Sequence, residues 1–308
     1  MPEMLYQRDI YGKTLVELAK ANKDIVVLDA DLSSSTRTGI FAKEFPEMFF
    51  NFGVAEQNMM ASAAGLATCG KTVFVSTFAI FAAGRAWDQV RNSISYNNLD
   101  VKIVATHAGI TVGPDGASHQ ALEDIALMHV IPNMNIIVPC DGPQTGDAVR
   151  AAANNKGPFY IRLGRPKVPT IENKGEFKFG KAEVLRDGKD VTIIVCGIMV
   201  NEGLIAAASL QAKGISARVI NMHSLRPLDE EVIVRAANQT KGIIVCEEHS
   251  VIGGLASCVA GVLGQRCPVK MASLGIRNRY GQSGEPAELL KEYNLTSQDI
   301  EKTAISIV

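Results

Sequence analysis

The sequence predicts an α/β fold of two domains, each a mainly parallel β-sheet with helices on both faces. Short apolar or β-branched runs alternate with alanine-rich helical stretches, which is typical of parallel sheets that are covered on both faces. The alternation stops once, in the polar segment KVPTIENKGEFKFGK (167–181), and then resumes. We therefore expect a first domain at 1–168, a linker at 169–182 and a second domain at 183–308.

Five strands and five helices are predicted in the first domain. The strands are DIVVLDA (24–30), KTVFVSTF (71–78), VKIVATH (101–107), NIIVPC (135–140) and PFYIRLG (158–164). The helices are expected near 9–22, 55–69, 80–97, 121–129 and 143–155. In open parallel sheets, ligands bind at the carboxyl ends of the strands, so the residues after each strand are candidates for a site.

The second domain is smaller and follows the same pattern. Its predicted strands are VTIIVCG (191–197), ISARVIN (215–221), KGIIVCEE (241–248) and VKMASLGI (269–276). Helices are expected between them, near 201–213, 229–238 and 253–264.

Composition limits the possible partners and compartments. The 308 residues are 47% hydrophobic and carry a formal net charge of −1, so the chain lacks the basic excess that nucleic acid or an anionic membrane would require. No apolar run is long enough to span a membrane, and the N-terminus resembles no targeting signal. The six cysteines form no CxxC pair and are expected to be reduced thiols of a cytoplasmic protein. They are Cys69, Cys140, Cys196, Cys246, Cys258 and Cys267.

Polar and aromatic side chains lie at the carboxyl ends of the predicted strands in the first domain. They are Asp31, Phe78, Phe81, His107, Asp115, His119 and Arg165. Each alone has an ordinary explanation, such as a helix N-cap for an aspartate, core packing for an aromatic ring or a surface ion pair for an arginine. Together, at one edge of a parallel sheet, they indicate a binding or catalytic site.

A lone carboxylate, Glu56, stands out in the otherwise uncharged stretch FFNFGVAEQNMMASAAGLA (49–67). The first turn of a helix favours a negative charge, but this does not explain apolar residues on both sides. A buried and unpaired carboxylate is costly. Because no lysine or arginine is close in sequence, we expect its partner to be a ligand.

Five motifs resemble those of transketolases, which depend on thiamine diphosphate, and occur in the same order. They are ADLSSST (30–36), GVAEQNMMASAAGLA (53–67), VSTFAIF (75–81), the segment from THAGITVGPDGASHQ (106–120) to VPCD (138–141), and PFYIRLGRP (158–166). The resemblance implies a pyrimidine-binding domain followed by a transketolase C-terminal domain. Because no GDG metal motif occurs, it implies the C-terminal subunit of a split transketolase, whose partner chain brings the diphosphate site and Mg²⁺.

The resemblance also implies roles for the candidate residues. The glutamate corresponding to Glu56 hydrogen-bonds N1′ of the aminopyrimidine ring and promotes its imino tautomer, and the rings of Phe78 and Phe81 wall that pocket. The positions of Asp31, His107, Asp115 and His119 contact sugar hydroxyls and the intermediate, with both histidines as candidates for proton transfer and Asp31 also near the cofactor. Arg165 matches a position that binds the substrate's anionic group. No metal ligand is expected in this chain.

Two positions depart from the family pattern, and both affect the expected site. Gly84 stands where many transketolases have a third aromatic residue of the cofactor pocket, and Pro114 stands where a glutamate is common. We therefore expect a looser pocket, and the donor substrate stays open between a ketose phosphate, such as the family's pentose phosphate, and a related anionic ketose.

In the second domain, NMHSLRPLDEE (221–231) and CEEHSVIGGLAS (246–257) resemble the C-terminal domain, which mainly supports dimer contacts, so His223 and His249 are interpreted as structural or interface residues. The resemblance implies a dimer of the isolated chain and an α2β2 tetramer with the partner. The segment FAAGRAWDQVRNSISY (81–96) is interpreted either as an interface helix or as an ordinary core helix.

Three alternatives stay open from the sequence. The nearest is the β subunit of a 2-oxo acid dehydrogenase, which works with lipoyl carriers. A subunit similar to deoxyxylulose phosphate synthase is the second, and a non-catalytic scaffold is the third. The loop GPDGASHQ (113–120) and the VSTF motif (75–78) favour transketolase.

Overall fold

A computed structural model describes residues 2–172 and 175–308. In the first half of the chain, the helices and strands are β1 (Met4–Tyr6), α1 (Gln7–Ala21), β2 (Ile25–Asp29), α2 (Ser33–Thr36), α3 (Gly39–Glu44), β3 (Phe49–Asn51), α4 (Glu56–Thr68), β4 (Thr72–Phe78), β5 (Val101–Thr106), α5 (Asp124–His129), β6 (Asn135–Ile137), α6 (Gly142–Asn154), β7 (Phe159–Arg162) and β8 (Lys167–Pro169). Short 3₁₀ turns at Pro46–Met48 and Ile110–Asp115 and π-helical turns at Phe81–Arg85 and Gln89–Ser95 lie between them.

The second half continues the alternation of strands and helices. Its elements are β9 (Glu183–Arg186), β10 (Val191–Val195), α7 (Met199–Ala212), β11 (Ala217–Asn221), β12 (Ser224–Arg226), α8 (Glu230–Gln239), β13 (Gly242–Ser250), α9 (Leu255–Arg266), β14 (Lys270–Ile276), α10 (Pro286–Glu292) and α11 (Ser297–Ile307). Among the helices of the described residues, every one is too short or too polar to reach across a bilayer.

Two mainly parallel sheets organise the molecule, which confirms the predicted fold class. The first has seven strands in the order β12-β6-β7-β5-β4-β2-β3, and only β12 runs antiparallel to its neighbour. The second has five strands in the order β14-β13-β10-β11-β9, and only β9 is antiparallel. The central strands β2, β4 and β5 are buried at every residue, as their β-branched runs predict for strands that are covered on both faces.

The two halves of the chain are joined by packing as well as by the connecting segment. Val75 of the first sheet and Val245 of the second belong to the same buried apolar cluster. Strand β12 comes from the second half yet pairs with β6 of the first sheet. The polar segment 167–181 begins with β8, which pairs with β1 in a separate two-stranded sheet, and residues 173 and 174 of the predicted linker lie outside the described residues. The two halves therefore contact each other through a shared apolar core and through strand pairing.

Local structure differs from the sequence prediction around the candidate site. The helix expected near 55–69 is present as α4, which begins at Glu56, but the residues Phe49–Asn51 before it form β3, a strand that the sequence did not predict. The helix expected over 80–97 contains the two π-helical turns. Within it, Val90 and Ile94 are fully buried in the chain's own core, so these two residues pack as core and not as interface anchors.

Candidate active site

Four rings form a cluster at the carboxyl ends of β4 and β5. Phe78 is the last residue of β4, and its ring stacks on His107 with the centroids 3.9 Å apart. Phe81 stacks near Phe78 at 6.0 Å, and His119 meets Phe81 edge-on at 5.5 Å. The structure therefore brings together four of the residues that the sequence singled out.

His107 is held by its backbone and by two hydrogen bonds. Its φ is +57°, a left-handed conformation that is uncommon outside glycine and often marks a functional site. Nε2 lies 3.2 Å from Nη1 of Arg8, and Nδ1 lies 2.9 Å from the hydroxyl of Thr106. Because arginine only donates, Nε2 accepts from Arg8, and the hydrogen on Nδ1 is donated to Thr106.

The His107 imidazole is neutral in this setting. Burial lowers the pKa of His107 to about 3, and the positive charges of Arg8 and Arg165 and the nearby His119 act in the same direction. A ring with so low a pKa is a weak base, and because it is fixed in one tautomer it is suited to accept a hydrogen bond at Nε2, where a ligand would replace Arg8.

Arg8 is a site residue that the sequence did not predict. It lies at the second position of α1, where a positive charge opposes the helix dipole, and this unfavourable placement was the available signal. Its Nη1 also donates to the carbonyl of Ser35 at 3.3 Å. Its Nε is buried, and none of the described residues accepts a hydrogen bond from it. Burial and the positive charges of Arg37 and Arg165 lower the pKa of Arg8. These cations repel one another, and an anion bound among them would reduce that repulsion.

The short helix α2, which carries Ser35, and the residues that flank it are folded around a buried carboxylate at the end of β2. Asp29 accepts hydrogen bonds from the amide of Leu32 at 2.6 Å and from the hydroxyls of Thr36 and Thr38 at 2.7 and 2.8 Å. Asp31 follows with a left-handed φ of +64° and pairs with Asn51, whose side-chain amide donates to it at 2.9 Å. Asp31 thus lies at the predicted edge, in contact with β3.

Arg165 follows β7 and is oriented by the loop between β5 and α5. Its Nη1 donates to the carbonyl of Val112 and lies 3.4 Å from Oδ1 of Asp115. About a third of the side chain is exposed, so the guanidinium keeps free donors for a ligand.

Glu56 is buried at the start of α4 and has a protein partner. Nη1 of Arg85 lies 2.9 and 3.0 Å from its two carboxylate oxygens, and the guanidinium of Arg85 also lies 4.5 Å over the Phe81 ring. The expectation that Glu56 lacks a protein cation is therefore wrong. Arg85 is 29 residues away in sequence and is the last residue of the π-helical turn Phe81–Arg85, which places it beside Glu56.

Four further positions that the sequence singled out are Gly84 and Pro114, which depart from the family pattern, and the histidines His223 and His249. Among the described residues, a Cβ at Gly84 would meet no atom within 4 Å, so this position is open. Pro114 is exposed. His223 and His249 are buried and bond to Ser224 and Ser250, at 3.2 and 2.7 Å. In the part of the chain that the structure describes, no group of three or more His, Cys, Asp or Glu side chains is placed to hold a metal ion.

Comparison with known proteins identifies two family domains. The transketolase pyrimidine-binding domain matches residues 3–170, and the transketolase C-terminal domain matches residues 180–300. A putative transketolase C-terminal section from Methanocaldococcus jannaschii is 50% identical over 296 residues, which cover 95% of this chain and 93% of that protein. A 6-deoxy-6-sulfo-D-fructose transketolase subunit from a Clostridium strain is 41% identical, with 96% and 92% covered.

A solved structure of a split-gene transketolase, described as an inactive β4 tetramer, has the same fold. It superimposes with a TM-score of 0.92, is 52% identical in sequence, and covers 98% of both chains.

Proposed function

The chain belongs to the transketolase family, and we propose that it is one subunit of a two-chain transketolase that moves a two-carbon ketol unit from an anionic ketose to an aldose. The observation that carries the proposal is the buried Glu56 carboxylate, which Arg85 joins to the ring of Phe81, with Phe78 and the neutral His107 stacked in the same ring cluster. A non-catalytic scaffold has no need of this arrangement, and the relatives favour transketolase over a 2-oxo acid dehydrogenase subunit.

The pocket residues fit the aminopyrimidine ring of thiamine diphosphate. In this structure a flat hydrogen-bonding group, the Arg85 guanidinium, already lies over the Phe81 face and donates to Glu56. The same two contacts suit an aminopyrimidine, with its ring face on the aromatic side chains and its N1′ edge at the carboxylate. Arg85 would then have to leave Phe81. When bound, the cofactor supplies the carbanion-stabilising chemistry of the transfer.

Substrate recognition is assigned to the histidines and arginines. Arg165, with exposed donors, and Arg8, whose Nε lacks a partner, suit a phosphate or sulfonate group. Neutral His107 is suited to accept a hydroxyl hydrogen bond at Nε2 in place of Arg8, and His119, which faces the same ring cluster, is the candidate for proton transfer. Asp31 and Asp115, at the edge of the site, would bind sugar hydroxyls.

We propose that the diphosphate and Mg²⁺ are bound mainly by a partner subunit and that the assembly is α2β2. The related split-gene structure is an inactive tetramer of β chains, which supports both self-association and a need for a second subunit.

We retain the proposed domain limits of 1–168 and 183–308 with the linker 169–182. The six cysteines are free, which is typical of a reducing compartment and supports a cytoplasmic enzyme.

Reconstitution tests the function. The chain is mixed with a transketolase subunit that carries the diphosphate-binding domain, thiamine diphosphate and Mg²⁺, and assayed with phosphorylated, sulfonated and uncharged ketoses and an aldose acceptor. We expect ketol transfer from the anionic ketoses. Acyl transfer from a 2-oxo acid to a lipoyl carrier, without ketol transfer, would replace the proposal with the dehydrogenase alternative.

Glu56→Gln serves as the internal test of the site. The amide keeps the shape of the side chain but loses the charged acceptor, so turnover is expected to fall at least about 10²-fold with the fold intact. Glu47→Gln, on an exposed glutamate, is the control. Normal activity of a folded Glu56→Gln assembly would remove Glu56 from the mechanism.

A further inference from the structure

A carboxylate of the second domain reaches into the loop that carries the substrate-binding residues. This substrate loop, residues 109–119, connects β5 to α5. Glu248 lies on β13, is only 4% exposed, and accepts a hydrogen bond at Oε1 from the backbone N–H of Thr111. A Cβ at Gly109 would lie 2.3 Å from Cδ of Glu248, so only a glycine allows the loop backbone to come this close.

Other parts of the second domain hold the same loop. The Gln120 side chain, which follows the loop, donates to the carbonyls of Ile110 at 3.0 Å and Gln282 at 2.9 Å, joining the loop to the segment before α10. A Cβ at Gly116 would lie 2.6 Å from the hydroxyl of Ser283. The loop is therefore packed against the second domain at its start and at its end.

The Glu248 contact is one residue from a group that orients Arg165. Thr111, which donates to Glu248, precedes Val112, whose carbonyl accepts from Nη1 of Arg165. Asp115, at the end of the same turn, lies 3.4 Å from that nitrogen. A shift of the Thr111 turn would carry both of these groups with it, and with them the direction of the guanidinium.

Among the ion pairs of the described residues, none includes the Glu248 carboxylate. The neighbouring cation, Arg162, gives its Nε to Asp124 at 2.8 Å and its Nη2 to the main-chain oxygens of Ala121 and Glu248 at 3.2 and 2.9 Å. Burial raises the pKa of Glu248 to about 7 in spite of Arg162. A site that only needed filling would be at least as stable with an apolar side chain.

We propose that Glu248 is a positioning residue for substrate binding, which fixes the Thr111 turn and thereby aims Arg165 at the anionic group of the substrate. The inference rests on the proposed function, and it gives the second domain a part in substrate recognition. Glu248 acts through the loop and does not touch the substrate.

Hydrogen exchange of the full, unmodified chain is the first test. An amide that is bonded to a buried carboxylate opens only with the surrounding structure, so Thr111 should exchange as slowly as the core amides of β13. Exchange of Thr111 at the rate of an open loop would overturn the proposal. This measurement requires neither a variant nor activity.

Variants in the reconstituted assembly are the second test. Glu248→Leu keeps the approximate size but removes the acceptor, and Glu248→Gln keeps an acceptor oxygen. The matched control is Glu247→Leu, because Glu247 is equally buried but accepts from Leu255 and Ala256 at the start of α9, at 2.7 and 2.8 Å. All three are compared by exchange at 110–116 and by kinetics with an anionic and an uncharged ketose.

We expect Glu248→Leu to speed exchange at 110–116 and to raise KM for the anionic ketose about tenfold, with kcat and the uncharged ketose little changed. Glu248→Gln should restore most of the affinity, and Glu247→Leu should leave KM unchanged. An equal rise in KM for both ketoses, or the same rise in Glu247→Leu, would overturn the inference while leaving the activity of the unmodified assembly intact. Absence of ketol transfer by the unmodified assembly would instead count against the proposed function.

Discussion

Nη1 of Arg85 lies within hydrogen-bond distance of both carboxylate oxygens of Glu56, at 2.9 and 3.0 Å. The pair is asymmetric, because Glu56 is 2% exposed whereas the Arg85 side chain is 47% exposed. The buried carboxylate therefore depends on a cation that reaches it from the solvent side. The same guanidinium covers Phe81, so one side chain occupies both contacts of the proposed cofactor pocket.

Removal of this cation should destabilise the isolated chain. Arg85→Gln leaves a buried charge without its partner, and we expect the free energy of unfolding to fall by about 1–3 kcal/mol, less than for a fully buried pair because Arg85 is half exposed. Urea denaturation measures it. In a Glu56→Gln background the same change should cost much less, because no charge is left uncompensated.

Arg91→Gln is the matched control for this prediction. Arg91 lies on the next π-helical turn and is exposed, and among the described residues its side chain bonds only to the neighbouring Asn92. Loss of the Arg91 side chain should therefore change stability by less than about 0.5 kcal/mol. Equal costs for Arg85→Gln and Arg91→Gln would contradict the structural role of the Arg85–Glu56 pair.

The sequence predicted the sheets well and the side-chain pairings poorly. Long β-branched runs such as β4 and β5 are visible because every residue is buried, whereas three-residue edge strands such as β3 and β12 contain too few residues to show a pattern. The partner of Glu56 was missed because the direction of Arg85 depends on a π-helical turn that hydrophobic periodicity does not reveal.

The contribution of the second domain could not be predicted either. Strand ends point to Asp31, His107 and Arg165 because parallel strands end at one edge of a sheet. The contact between Glu248 and Thr111 depends instead on how the two sheets pack, and residues 137 positions apart carry no local signal of it. Arg8 was hidden for a related reason, since its meaning appears only when α1 is placed beside His107.

Arg165→Lys should affect substrate use more than cofactor binding. Lysine keeps the positive charge but loses the fork of donors that serves Val112 and a bound anion together. In the reconstituted assembly we expect KM for anionic ketoses to rise about tenfold, with little change for uncharged ketoses and for thiamine diphosphate. Arg277→Lys, on an exposed arginine of the second domain, is the control. Equal effects on both substrate types would assign Arg165 to structure.

The buried neutral His107 should make the chain sensitive to acid. Its pKa is about 3 when folded and 6.5 at its ordinary value, so between these limits the unfolded chain binds more protons at this site. Stability contributed by His107 is therefore complete above about pH 6.5 and is lost as the pH falls, by at most about 1.4 kcal/mol per pH unit.

Comparison of unfolding free energies for the normal chain and His107→Asn tests this sensitivity. The pKa of His249 is lowered to about 4, so this group acts in the same direction as His107. The pKa values of Glu247 and Glu248 are raised from 4.5 to about 7, so these two groups make stability fall as the pH rises through that range. These groups are common to both chains, so the difference between the curves isolates His107. We expect the variant to lose less stability from about pH 6 to 4. Parallel curves would show that His107 is not held neutral.

Assembly is the last property that the proposed function predicts. We expect the isolated chain to self-associate as a dimer and to be inactive, and a complex with the diphosphate-binding partner to contain two copies of each chain, because a two-fold interface is self-complementary. Near Glu56, Phe50 and Val54 are 46% and 73% exposed, which leaves an apolar surface beside the proposed cofactor pocket for the partner to cover. Light scattering with and without the partner measures both states.

Val54→Asp tests whether this surface meets the partner. A charge at the rim of the Glu56 pocket should weaken the complex at least about tenfold, because an aspartate would be desolvated without a partner charge. Ile305→Asp is the control, because Ile305 is also non-polar and exposed but lies on α11, and this change should leave the complex unchanged. A monomer in isolation and a one-to-one heterodimer in the complex would contradict the α2β2 proposal. If the partner binds Val54→Asp and Ile305→Asp equally well, it covers another face of this chain. The diphosphate site beside Glu56 would then have to come from a different protein surface.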